Sequence, residues 1–445
     1  MKRFTIFTIL FACMLAVQDL HAQDSVYYWS LMQRLASDEC KGRGYVGDGD
    51  HIAANILSAE MQRLGLKTWT AGYQQSVPMP INVFDGDAYV HFDSQHPDSN
   101  LVIFDNVTFM AYSCAMKGSF NVKTLKTEDL RAALDHPGNK YSNVFVCFDI
   151  CGLNPKDSLQ KALLTLVNQT VFKNPLHAKG YILVSEKQQG FHLGYGQHPQ
   201  QHVTVNINRN CLKALPKKIE LSLDQRFAKR NTSQNICGYI EGKTCPDSFF
   251  VFTGHYDHLG KFGRDYTCYG ANDNASGTAM VMDLARHFSQ PENRPDYSIA
   301  FLLFTGEEVG LVGSFYNSEH PLFPLENIKM LINLDMVGTN EEGITVVCAP
   351  SFQEDFDILT RTNDEKHYLK KVAPRKATAN SDHYPFFKKG CKTFFIYGMG
   401  HSGRYHSQYD VPEEMTGCNY SGLFRLLTDY ISAHGTQKTE TGKQE

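Results

Sequence analysis

Metal-binding and proton-moving side chains recur in short clusters along the second half of the chain. His255 and Asp257 stand in TGHYDHLG, Asp273 in YGANDNASG, Glu307 and Glu308 in LLFTGEEVG, Asp335 in NLDMVG and His406 in YHSQYD. The adjacent glutamates pose the sharpest question, because neighbouring carboxylates repel and are costly to take out of water. They follow an apolar run, so either they open a solvated helix, complementing its dipole, or a positive partner awaits them. Taken singly, each cluster has a plain structural use. A His-x-Asp triplet serves as a surface turn or a hydrogen-bonded pair, and GANDNASG as a turn and helix cap with Asn274 and Ser276 in favoured positions. His406 alone is an ordinary loop histidine. Asp335, closing an apolar run, needs a partner in any reading.

Together they fit metal chemistry. Two histidines and three carboxylates suit two zinc ions, with one carboxylate bridging and water completing each shell. Cations let Glu307 and Glu308 both stay ionised, one ligating while its neighbour remains free as a base. Asp257, two residues beyond His255, is placed to orient that ring.

The elements that must position these groups are short apolar runs without clear alternation: residues 248–253, 298–305, 329–334 and 393–397, with GITVVCA as a further one. That texture predicts parallel strands buried on both faces. ASGTAMVMDLARHFS, with Ala279, Met282, Ala285 and Phe288 on one face, predicts an amphipathic helix between the first two. The expected fold is α/β, with a mostly parallel central sheet flanked by helices. Asp273 then precedes that helix, and the polar residues cluster just past the carboxyl ends of several strands, the edge where open α/β sheets bind ligands.

The remaining chain divides by texture. Residues 1–22 carry Lys2 and Arg3 before an apolar stretch and read as a secretory leader, which predicts an exported protein; lipoprotein processing at Cys13 is the minor alternative. Residues 23–85 hold two helical stretches around a Gly-rich turn, then a strand-like segment near residues 73–78. Residues 86–225 are β-rich, with one helix over residues 158–167, and read as a compact inserted module. Residues 226–436 carry the strand–loop–helix rhythm, and 437–445 form a polar tail. The 12 cysteines are scattered and lack zinc-finger spacing; several, such as Cys147 and Cys348, sit in apolar runs as small buried hydrophobes. A net charge of −4 over 445 residues leaves no basic footprint for nucleic acid or anionic membrane.

The motifs GHYDHLG, GANDNASG, TGEEVGLVGS, NLDMVG, SDHYPF and YHSQYD, in that order, resemble the secreted di-zinc aminopeptidases related to the transferrin-receptor and glutamate-carboxypeptidase group. The early ASDECKGRG and IAANILSAEMQRLGL look like that family's N-terminal helices, and the β-rich module resembles a protease-associated domain. The resemblance implies His255 and Asp335 on one zinc, Glu308 and His406 on the other, and Asp273 bridging. It implies Glu307 as the general base acting on a metal-bridging water, and Tyr405 as donor to the developing oxyanion. His383, in SDHYPF, would lie near the pocket. Asn272 stands where many relatives have Asp. The implied activity is removal of N-terminal residues from peptides. Glutaminyl cyclisation, glutamate-type carboxypeptidase action and a non-catalytic binding role are the alternatives; no proposed ligand is missing, and no motif demands a basic pocket.

Overall fold

The computed structural model describes residues 25–186, 191–400, 404–415 and 418–440. The leader, with Cys13, lies outside the described residues. Eight strands form the main sheet, in the order Gln74–Pro78, Thr232–Ile240, Tyr297–Phe304, Cys245–His255, Ile328–Leu334, Thr393–Met399, Gly343–Val347 and Val372–Arg375. The four central strands run parallel. Two antiparallel strands flank them on one side, and Gly343–Val347 runs antiparallel to Thr393–Met399 on the other. The fold is thus α/β, as the alternating rhythm predicted, with a mixed sheet. GITVVCA departs from its expected direction. Its strand is buried at every position, and an antiparallel strand covered on both faces lacks alternation just as a parallel one does.

Helix Gly277–Ser289 was expected to be amphipathic, yet all nine residues from Gly277 to Ala285 are buried. It packs against the central strands on one side and the last helix, Tyr420–Glu440, on another. That last helix runs past residue 436, where the polar tail was expected to begin.

A second sheet of seven strands lies between residues 88 and 223. Strands Ala88–Phe92 and Met116–Thr124 were not anticipated, and the single expected helix extends over Ser158–Lys173. The chain enters and leaves this sheet through a two-stranded ribbon, in which Ile81–Val83 pairs antiparallel with Arg226–Ala228. One hydrophobic cluster joins Phe104, Phe109 and Phe191 to Leu259, Phe262 and Val309, so the second sheet shares apolar packing with segments that leave the main sheet's strands. Cys147, Cys237 and Cys348 are free and buried, consistent with their apolar sequence settings. Among the described residues no helix is long and apolar enough to cross a membrane.

Candidate metal centre

Most site residues sit at or just after the end of a central strand, whereas Asp273 lies in the turn Ala271–Ser276 that leads into helix Gly277–Ser289. His255 is the last residue of its strand, and Asp335 directly follows Ile328–Leu334. Glu307 and Glu308 occupy a turn after Tyr297–Phe304 and before helix Val312–Glu319, so they do not form the first helical turn. Four parallel strands end at one edge, which brings loops more than a hundred residues apart together.

Asp273 stands at the centre. Its Oδ1 lies 3.3 Å from His255 Nε2 and its Oδ2 lies 3.3 Å from His406 Nε2. His255 Nε2 is also 3.3 Å from Asp335 Oδ1, and His406 Nε2 is 3.1 Å from Glu308 Oε2. One carboxylate therefore divides its two oxygens between a His–Asp pair and a His–Glu pair. His255, Glu307 and Asp335 form one group able to hold a cation, and His258, Asp273 and Glu308 another. His255 Nε2 and Asp335 Oδ1 are buried and lack a properly oriented hydrogen-bond partner. Buried polar atoms left in that state are costly, and a shared cation would satisfy both. Imidazole nitrogens and carboxylate oxygens are the donor set zinc accepts.

The local electrostatics separate the adjacent glutamates. Burial would raise Glu308, but His406 and His258 beside it draw it down to about 2. Burial, with Asp335, Glu308 and Asp382 near, pushes Glu307 well above the usual carboxylate range. Burial works against the charge on His255 and His406, yet the surrounding carboxylates hold both well above the usual histidine range.

The expected orienting contact from Asp257 takes a different form. His255 Nδ1 lies 3.1 Å from the Asp257 backbone carbonyl and 3.6 Å from its carboxylate, beyond hydrogen-bonding reach. The carboxylate instead accepts from the Tyr45 hydroxyl at 2.7 Å and the Glu307 amide at 3.2 Å. A carboxylate only two residues away has its own strongest partners on other elements.

His383 does not line the cavity beside the site. It is fully buried, its ring stacked on Phe395 at 5.2 Å, and burial lowers it to about 4. Tyr405 does line that cavity, with Glu307, Asp273 and Asp335. It is half exposed, and burial of part of its ring together with the carboxylates pushes its hydroxyl upward.

Sequence reasoning missed several supporting residues. His258, buried, places Nδ1 2.7 Å from Glu308 Oε1; its only signal was its place three residues after His255. Ser381 donates to Asp335 at 2.7 Å and accepts from Asn333 at 2.8 Å. Asp410 accepts the amides of Asn272 and Asp273 at 2.8 and 3.0 Å. Arg43, fully buried, donates to the carbonyls of Tyr256, Tyr269, Gly270 and Leu35, bracing the segment that leads to Asp273. Such buried guanidinium donors need carbonyls from several chain segments at once, which spacing along the chain does not reveal.

A mixed α/β sheet thus carries, at one edge, a carboxylate shared between a His–Asp and a His–Glu pair. Residues 235–426 match the model of peptidase family M28. It is 31% identical over 217 residues to the aminopeptidase YwaD of Bacillus subtilis, covering 47% of this chain and 46% of that protein. The match thus spans about half the length of that curated relative. The fold is similar to that of BSAP, a zinc aminopeptidase from Bacillus subtilis, with TM-score 0.67 and 19% identity over 92% of this chain and 94% of that one. A peptidase M28 precursor from Shewanella amazonensis gives TM-score 0.65 at 17% identity over 92% and 96%.

Proposed function

We propose that the chain is an exported zinc-dependent aminopeptidase with two zinc ions per chain, acting on peptides. The observation that carries this reading is the division of Asp273 between His255 and His406. His255 and Asp335 would hold one zinc, Glu308 and His406 the other, with Asp273 common to both. When bound, the pair supplies Lewis-acid polarisation of the scissile carbonyl and lowers the pKa of water. Glu307, on the cavity wall beside Asp273 and Asp335, takes the proton from the attacking water and passes it to the leaving amine. Tyr405, at the cavity wall, donates a hydrogen bond to the oxygen of the scissile carbonyl as charge develops there. Asp257 fixes the Glu307 backbone through its amide. In this reading residues 23–85 and 226–436 form the peptidase domain, and 86–225 a protease-associated-like insert. The insert borders the site, because the carbonyl of Phe191 lies 3.1 Å from His406 Nδ1.

The test is Glu307→Gln. Loss of about 10²–10⁴ in kcat, with close to two zinc ions retained by elemental analysis, is the expected result. Full activity in that variant would remove Glu307 as the base. Hydrolysis of N-blocked peptides as fast as free ones would refute the aminopeptidase assignment.

A further inference from the structure

The cavity beside the candidate metal residues has a volume of about 290 Å³ and is lined by groups of opposite charge. Asp273, Glu307 and Asp335 line it together with Phe395, Tyr397 and Arg375. The sheet register sets the order of these groups across the strands. Phe395 lies opposite Val347, and Val347 opposite Arg375, so Phe395 and Arg375 project from one face. Tyr397, two residues beyond Phe395, projects from that face as well. Strand spacing puts roughly 10 Å between the Phe395 and Arg375 backbones. On the other side Phe395 pairs with Asn333, two residues before Asp335.

Arg375 is held in place before any ligand arrives. Its Nη1 donates to the Tyr397 hydroxyl at 2.9 Å, and its guanidinium sits 5.8 Å from the centre of that ring. Both contacts restrict a side chain that otherwise has high rotamer freedom. Neither neutralises it, and no described carboxylate lies within 4.0 Å of it in an ion pair. A planar, always-charged fork with open N–H donors in an aromatic-lined cavity matches a carboxylate.

We propose that this cavity selects substrates that present a carboxylate to Arg375. The carboxylate comes either from an acidic side chain, aspartate or glutamate, beside the scissile bond, or from the free C-terminus of a very short peptide. The inference rests on the peptidase reading above and names the substrate class of that same site.

The zinc-loaded full chain is assayed on two matched pairs. Glutamyl against glutaminyl anilide isolates the side-chain carboxylate, and leucylglycine against leucylglycine amide isolates the terminal one. In one of the pairs the charged member is expected to have a kcat/KM about fivefold or more above its neutral partner, the size of one charge-assisted contact at a partly exposed position. Arg375→Gln is expected to abolish that ratio and Arg375→Lys to keep part of it. The wild-type ratio should also shrink as salt rises, because the contact is open to screening. Equal rates within both pairs, or a ratio that survives in Arg375→Gln, would overturn the carboxylate assignment and leave the aminopeptidase reading standing. If no substrate with a free N-terminus is cleaved, that reading fails first and the inference with it.

Discussion

The adjacent glutamates at 307 and 308 differ in what their side chains meet. Glu308 has two histidines within 3.1 Å of its oxygens, whereas Glu307 faces Asp335, Asp382 and its own neighbour. Two like groups pushed in opposite directions are the pattern that separates a ligand from a base. The hydrogen-bond chain behind Asp335 is as specific: Thr253 donates to Asn333 at 2.7 Å, Asn333 to Ser381, and Ser381 to Asp335. Ser381→Ala should therefore weaken zinc binding by about 10-fold, in line with the loss of a residue that orients a ligand. Competition with a chelator measures this directly; unchanged affinity would show that Asp335 needs no such support. Histidines and carboxylates were legible from type and motif. Ser381 was not, since a serine acquires meaning only from the carboxylate that folding sets beside it.

At the scale of elements, the loop bearing Asp273 is laced to the loop bearing Asp335. Asn274 donates to the Leu334 carbonyl at 2.9 Å and accepts from the Gly277 and Met336 amides. Asn272 accepts the Gly338 amide and Ser276 the Val337 amide. A Cβ on Gly277 would overlap the Leu334 carbonyl and the Asn274 side chain, so only glycine allows this approach. Asn274 and Ser276, which the sequence offered as turn and cap residues, thus also set the distance between Asp273 and Asp335. A comparable tie holds helix Gly49–Arg63 to the sheet, where Ser233 donates to buried Asp50 at 2.7 Å. Burial raises Asp50 from 3.8 to about 6. The folded protein therefore keeps a proton that the unfolded chain releases, and the stability this gives is present below about pH 4 and lost as pH rises through about 6. A shift of this size corresponds to about 3 kcal/mol. Thermal unfolding of Asp50→Asn, compared with the wild type at pH 4.5 and pH 7.5, should show a smaller decline with rising pH in the variant. Parallel declines in both would assign the pH dependence elsewhere.

Across the whole molecule, Phe262 sits where the two sheets meet. Its ring lies 4.7 Å from Phe84, 5.4 Å from Phe104 and 5.5 Å from Phe191. Gln197 adds a hydrogen bond of 2.7 Å to the Val309 carbonyl, directly after the two glutamates. These contacts couple the seven-stranded sheet to the turn that carries Glu307 and Glu308. Phe262→Ala should cost about 3–5 kcal/mol, as for other buried aromatics, and separate the melting of the two sheets. Calorimetry is expected to give one transition for the wild type and two for the variant; a single transition in both would mean that other contacts suffice for coupling.

The sequence alone determined the α/β class and offered the histidines and carboxylates that the structure brings together at one sheet edge. Those properties depend on local patterning: apolar runs set the strands, and several of the polar clusters lie just after one. The tertiary structure decided what depends on crossings between distant segments. It turned Gly343–Val347 antiparallel, set His383 behind Phe395, and gave the Asp257 carboxylate to Tyr45 and Glu307. It also brought Arg375, on an edge strand, into the lining of a cavity shared with Asp273, Glu307 and Asp335. No motif marks that arginine, because its position relative to Asp335 is set by strand order across the sheet, which no short stretch of chain encodes.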